Sequence, residues 1–77
     1  MTIKTLTTQE ATEQLRRLGV KISTETMRNG LRQGVFPFGT YIETPNGSPV
    51  YTIYERLFRE WIEERAFPDD MDADPMQ

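Results

Sequence analysis

Residues 7–34 read Thr7-Thr8-Gln9-Glu10-Ala11-Thr12-Glu13-Gln14-Leu15-Arg16-Arg17-Leu18-Gly19-Val20-Lys21-Ile22-Ser23-Thr24-Glu25-Thr26-Met27-Arg28-Asn29-Gly30-Leu31-Arg32-Gln33-Gly34. The stretch predicts two short helices joined by a tight turn. Thr7-x-x-Glu10 is a capping-box pattern and opens the first helix. Ala11, Leu15 and Leu18 recur at i, i+4 and i+7, which gives that helix one buried stripe. Gly19 suits the left-handed position just past its end. Val20 and Ile22 are expected to point inward across the connection. Ser23 caps the second helix, and Glu25 in its first turn is favoured by the helix dipole. Met27 and Leu31 are its inward pair, and Gly34 ends it. Gly30 inside it costs roughly 1 kcal/mol against Ala and is expected to permit close packing.

Outward from this unit, residues 1–6 read as a short lead-in that adds an extended segment. Val35, Phe36, Pro37 and Phe38 form an apolar bridge that proline keeps from being helical. Tyr41 to Thr44 and Val50 to Ile53 are rich in β-branched and aromatic residues. They flank Pro45-Asn46-Gly47-Ser48-Pro49, whose Asn-Gly pair predicts a hairpin turn with positive φ at both positions. Thr52-x-x-Glu55 is a second capping-box pattern, predicted to open a third helix. Ile53, Tyr54, Leu57, Phe58, Trp61 and Ile62 give it a wide apolar face expected to supply most of the core. Tyr54, Phe58 and Trp61 lie at i, i+4 and i+7. That spacing marks core side chains rather than a stacking platform for bases. After Ala66 the chain loses its period. Residues 67–77 are expected to be a disordered acidic tail, with Phe67 packing back.

The composition narrows the function. The chain has 77 residues, no cysteine and no histidine. One small domain, residues 1–66, is expected, with no disulfide framework. No catalytic residue, cofactor or metal is expected. The commonest general base and metal ligand is missing, there is no glycine-rich phosphate loop, and the acid pairs Glu63-Glu64 and Asp69-Asp70 fall on a helix end and a tail. No apolar run is long enough for a membrane span and no signal-peptide pattern is present, so a soluble cytoplasmic protein is expected.

The net charge is −3, but it is unevenly placed. Asp69, Asp70, Asp72 and Asp74 crowd the last nine residues, and residues 1–68 carry nine basic and eight acidic side chains. Between Gln14 and Gly34 stand Arg16, Arg17, Lys21, Arg28 and Arg32 against Glu25 alone. A local basic face can bind phosphates on an acidic chain.

The order helix, turn, helix, hairpin, helix describes an α+β, mainly α, fold: a minimal winged helix-turn-helix. Its opening, Leu6-Thr7-Thr8-Gln9-Glu10-Ala11, resembles the start of small excisionase-like and MerR-like winged-helix domains of phage and mobile elements. These begin with a Leu/Tyr-Thr-x-x-Glu-Ala-Ala-x-x-Leu pattern. The resemblance spans roughly residues 5–62 in element order, but only the first helix in sequence pattern. The wing tip here carries no basic residue. The resemblance implies double-stranded DNA binding, with the second helix in the major groove and the wing along a neighbouring groove or the backbone. It implies either an architectural factor for DNA recombination, with several copies side by side and a recombinase or integrase as partner, or a transcription regulator.

On that reading Arg28, Asn29 and Thr26 are the expected base contacts, since Arg pairs with guanine and Asn with adenine in the major groove. Thr24, Arg32 and Gln33 are expected at phosphates along the second helix, and Arg16, Arg17 and Lys21 around the turn. One of Arg16 and Arg17 is expected to form an ion pair with Glu13 or another acid. Thr40, Tyr41, Thr44, Asn46 and Ser48 offer hydroxyls and an amide along the wing, although Asn46 and Gly47 also serve the turn. No membrane and no small-molecule substrate is expected as a partner. The rival reading is a protein-interaction adaptor that uses the same fold to dock a recombinase or another protein. It predicts that Arg28 and Arg32 are neutralised by Glu25 and Glu43.

Overall fold

The computed structural model describes residues 1–67. The expected acidic tail therefore lies, from Pro68 onward, outside the described residues. The elements run β1 (Thr5–Leu6), α1 (Thr8–Arg17), α2 (Thr24–Arg32), β2 (Gly39–Ile42), β3 (Val50–Tyr54) and α3 (Glu55–Arg65). Among the described residues the fold is α+β and mainly helical, with three helices and one antiparallel sheet of order β1-β3-β2.

Both N-terminal helices begin on a side-chain cap and end on a glycine. In α1 the Glu10 amide donates to Thr7 Oγ1 at 3.0 Å, and the Thr7 amide donates to Glu10 Oε1 at 2.9 Å. This completes the capping box. Ser23 caps α2 by accepting from the Thr26 amide at 3.1 Å. The two helices stop alike. Gly19 and Gly34 take φ of 100° and 75°, and the amides of Val20 and Val35 reach back to the carbonyls of Leu15 and Gly30, both at 2.9 Å. That backbone pattern satisfies last-turn carbonyls and needs a left-handed residue, which glycine adopts without a Cβ clash.

The lead-in is a strand. Thr5 and Leu6 pair with Tyr54 and Ile53. The Glu55 amide donates to the Lys4 carbonyl at 2.9 Å, so the first turn of α3 is tied to the chain's opening residues. Here the sequence expectation fails. Thr52 does not open a helix: it lies in β3 opposite Thr40, and α3 starts three residues later with Tyr54 as N-cap and no side-chain cap. Pairing on both sides holds β3 extended through Tyr54. The capping pattern loses to the sheet.

The hairpin also differs from expectation. Ile42 faces Val50, which leaves a seven-residue connection, and β2 begins two residues before the predicted start at Tyr41. Neither Asn46 nor Gly47 has positive φ. Pro45, with its fixed negative φ, instead favours a turn that continues with negative φ at Asn46. The Thr44 hydroxyl donates to the Ser48 carbonyl at 3.0 Å and closes the loop.

The core joins all parts of the chain: Ala11, Leu15, Met27, Leu31, Phe38, Ile53 and Phe58 are buried. Only Phe58 of these belongs to α3, so that helix does not supply most of the core. Trp61 and Ile62 are half-buried and Leu57 is exposed. The hub is Phe38, 0% exposed. It stacks on Phe36 at 5.1 Å and meets Phe58 and Trp61 edge-on at 4.9 and 5.2 Å. Such pairs add to area burial through ring quadrupoles. Gly30 lets the Phe36 ring lie directly against α2, where an added Cβ would overlap it. Leu18, predicted in the buried stripe, is 59% exposed, because it is the C-cap and no element covers it. Val20 is exposed too, and Phe67, expected to pack back, is 78% exposed. Among the described residues the one fully buried polar residue, Thr12, donates from its hydroxyl to the Thr8 carbonyl at 2.7 Å.

Candidate nucleic-acid interface

Met27 and Leu31 face inward, so the opposite side of α2 is turned outward by helical geometry. Thr26, Arg28, Arg32 and Gln33 are exposed, whereas Thr24 and Asn29 are half-buried. Arg28 and Arg32, four residues apart, form one stripe on the hairpin side. Arg28 lines an open crevice with Thr5, Thr7, Glu10, Ser48 and Tyr51. The crevice brings α2, the start of α1 and the base of the hairpin loop together, and it includes Ser48 among the predicted wing contacts.

Arg32 is engaged. Its Nη1 donates to Asn29 Oδ1 at 3.1 Å and its Nη2 to the Tyr51 hydroxyl at 3.2 Å. The guanidinium lies 5.6 Å from the Tyr41 ring centre, within reach of a cation–π contact. The hydrogen bond that Arg32 donates to Tyr51 raises the Arg32 pKa above its usual value, helped by the charge interaction between the two groups. A guanidinium has five N–H donors, so Arg32 retains donors for a phosphate.

The turn gathers a second group. Arg16, Lys21, Ser23 and Thr26 line one shallow concavity. Arg16 does not pair with Glu13: its Nε donates to the Ile22 carbonyl at 2.9 Å and braces the turn. The Thr26 hydroxyl accepts from Ser23 Oγ at 3.0 Å, which leaves its own O–H to donate. Arg17 does not join this group. Neighbours on a helix point about 100° apart, and Arg17 lines an apolar groove between α1 and α3, beside Leu18, Trp61 and Phe67.

Strand alternation splits the predicted wing contacts. Gly39, Tyr41, Tyr51 and Ile53 share one face of the hairpin, and Thr40, Ile42, Val50 and Thr52 the other. Tyr41 therefore lies with Arg32, and Thr40 points away. Asn46 is exposed at the loop tip, while the Thr44 hydroxyl is used inside the loop.

Charge is segregated. Among the described residues all three side-chain ion pairs lie on α3: Arg56–Glu60 and Arg59–Glu55 at 3.4 Å, and Arg65–Glu64 at 3.2 Å. None involves Arg16, Arg17, Lys21, Arg28 or Arg32. The neutralisation by Glu25 or Glu43 that the adaptor reading predicts is not present.

Compared with family models, characterised proteins and solved structures, the chain matches none.

Among the described residues no group of His, Cys, Asp or Glu side chains is placed to hold a metal ion, and no helix is long and apolar enough to cross a membrane. Tyr51 was missed from sequence. Its position beside Arg32 depends on the hairpin register, and the pairing of Tyr41 with Tyr51 becomes visible only once the seven-residue loop is known. The signal was an aromatic residue alternating onto the same strand face as the buried Ile53.

Proposed function

We propose that this chain binds double-stranded DNA as a minimal winged helix-turn-helix protein, with α2 in the major groove and the β2–β3 hairpin as the wing. The observation that carries the reading is the charge segregation. Among the described residues the cations of α1, the turn and α2 form no ion pair, while those of α3 do. Unpaired cations on one exposed unit supply the counterion-releasing contacts on which duplex affinity rests. Arg28 serves a base edge beside the wing, and Arg32, Arg16 and Lys21 serve the backbone.

The resemblance of the first helix to excisionase-like and MerR-like domains supports a role as an architectural factor in recombination or as a transcription regulator. One such module covers about 600–1,000 Å² of its own surface on DNA, so useful specificity calls for copies on adjacent sites. A recombinase is then a natural second partner.

The alternative, a protein-interaction adaptor, is favoured by one feature. The groove between α1 and α3 leaves Leu18, Val20 and Phe67 exposed beside Trp61.

A mobility-shift titration separates the readings. It uses DNA from around the protein's own coding region against scrambled duplex, at two salt concentrations. Saturable, salt-sensitive retardation of the native fragment that Arg28→Ala abolishes is the expected result. A ladder of shifted bands with bending indicates the architectural role, and one discrete shift a regulator. No preference at either salt, with the variant unchanged, favours the adaptor.

A further inference from the structure

We infer that the groove between α1 and α3 is a docking site for the chain's own acidic segment beyond Phe67, with Met71 as the side chain that enters it. Such docking is independent of DNA binding. It gives the apolar face that favours an adaptor an occupant within the same chain.

The groove is lined by Leu18, Val20, Trp61 and Phe67 together with Arg17 and Arg65, and no carboxylate is among its lining residues. Leu18, Val20 and Phe67 are exposed, so the groove offers apolar surface that nothing among the described residues covers. Among those residues Arg17 forms no ion pair, and Arg65 pairs only with the neighbouring Glu64. That pair is exposed and therefore weak. The Arg65 guanidinium lies over the Trp61 ring, 4.2 Å from its centre. Apolar surface beside two cations calls for an occupant that is apolar and acidic. A second copy docked face to face would instead set Arg17 and Arg65 against the same cations of its partner, and like charges across an interface are costly.

The chain leaves the described residues at this groove, because Ala66 and Phe67 both line it. The sequence then continues Pro68-Asp69-Asp70-Met71-Asp72, one apolar side chain set among acids. Met71 stands four residues beyond Phe67, and four residues of extended chain reach about 13 Å. Methionine is unbranched, fills irregular apolar gaps and makes favourable contacts with aromatic rings such as Trp61. The flanking aspartates complement Arg17 and Arg65. A segment tethered this closely has an effective concentration in the millimolar range at the groove, so a free partner has to displace it.

The test uses the full chain with isotope-labelled methionine methyl groups. The chain has four methionines and a single tryptophan, which keeps both signals assignable. Nuclear Overhauser contacts from the Met71 methyl to the Trp61 ring and to Leu18 are expected. Met71→Ser lies outside the buried core. It is expected to abolish those contacts and to raise the quenching of Trp61 fluorescence by acrylamide, equally at every protein concentration. Met76→Ser is expected to keep both the contacts and the wild-type quenching. Absence of any contact from Met71, or equal quenching of the wild type and Met71→Ser, overturns the inference. Loss of protection in Met76→Ser alone overturns the assignment to Met71. Contacts that vanish on dilution overturn it too, since the occupant then comes from a second copy.

Discussion

The Arg32 guanidinium donates to the Tyr51 hydroxyl across 3.2 Å, joining residues nineteen positions apart in the chain. The bond ties α2 to the hairpin and makes their relative placement a property of the free protein. On the DNA-binding reading, a preset angle between helix and hairpin avoids ordering losses on binding.

Arg28 stands in the crevice that α2 shares with the hairpin base and has no carboxylate partner among the described residues. Arg28→Ala is expected to weaken binding to a preferred site by about 1–3 kcal/mol and to relax choice at one base pair. Fluorescence anisotropy on single-base variants of the site checks this. Uniform weakening with a salt slope lower by about one would make Arg28 a phosphate contact instead.

The four aspartates after Pro68 carry more negative charge than the rest of the chain has net positive charge. Removing residues 68–77 is expected to strengthen non-specific DNA binding at low salt, with the gain fading as screening increases. Equal affinity of the full and shortened chains for scrambled duplex at low salt would show that the tail does not compete.

Phe38 meets three aromatic rings and is fully buried. Phe38→Ala is expected to cost about 3–5 kcal/mol through lost transfer energy and a cavity. A single core of this size supplies only about 3–5 kcal/mol in total. The variant should therefore be largely unfolded at 25 °C, which circular dichroism and a urea titration would reveal. A cooperative transition at the wild-type midpoint would refute the central place given to Phe38.

Gly30→Ala sets two effects against each other. Helix propensity favours Ala by roughly 1 kcal/mol. The new methyl group, however, overlaps the Phe36 ring, which is wedged between Phe38 and Trp61. Overpacking of this kind costs about 1–3 kcal/mol, so the variant is expected to be less stable, with a lower melting temperature. A raised melting temperature would mean that the ring moves aside freely.

DNA affinity is expected to be flat between pH 6 and 8.5. The chain has no histidine, and the bond to Tyr51 pushes the Arg32 pKa up. A group whose folded pKa is raised contributes stability fully below its unfolded pKa and loses it only as pH rises through the folded one. For an arginine that window lies far above neutrality. A titration of affinity against pH, at fixed ionic strength, would expose any neutral-range switch as a sigmoid step.

Where the physics is local, the sequence was legible. Thr7, Glu10 and Ser23 cap the helices they were expected to cap, Gly19 and Gly34 end them, and Met27 and Leu31 turn inward. Each depends on neighbours within a few residues. Thr52-x-x-Glu55 carries an equally local signal, yet Thr52 is held opposite Thr40 by a sheet that no local pattern announces. The Asn46-Gly47 turn failed because Pro45 and the Thr44 bond to Ser48 settle the loop differently. Phe38 as hub, and Tyr51 as the partner of Arg32, both require packing between distant segments. The unpaired state of Arg28 could be tested only once the positions of Glu25 and Glu43 were known.

Thr5 pairs with Tyr54 and Leu6 with Ile53, so the sheet is closed by residues nearly fifty positions apart in the chain. The helices and the hairpin close over short chain separations, but this pairing encloses nearly all of them and carries the largest loop entropy. Of the described closures, the β1–β3 pairing therefore takes the most chain entropy to make. Without β3 in place, Thr5 and Leu6 have no edge to join and the Lys4 carbonyl has no Glu55 amide to accept from. A change at Thr5 or Leu6 thus acts on the seam that joins the two strands of the sheet most widely separated in the chain.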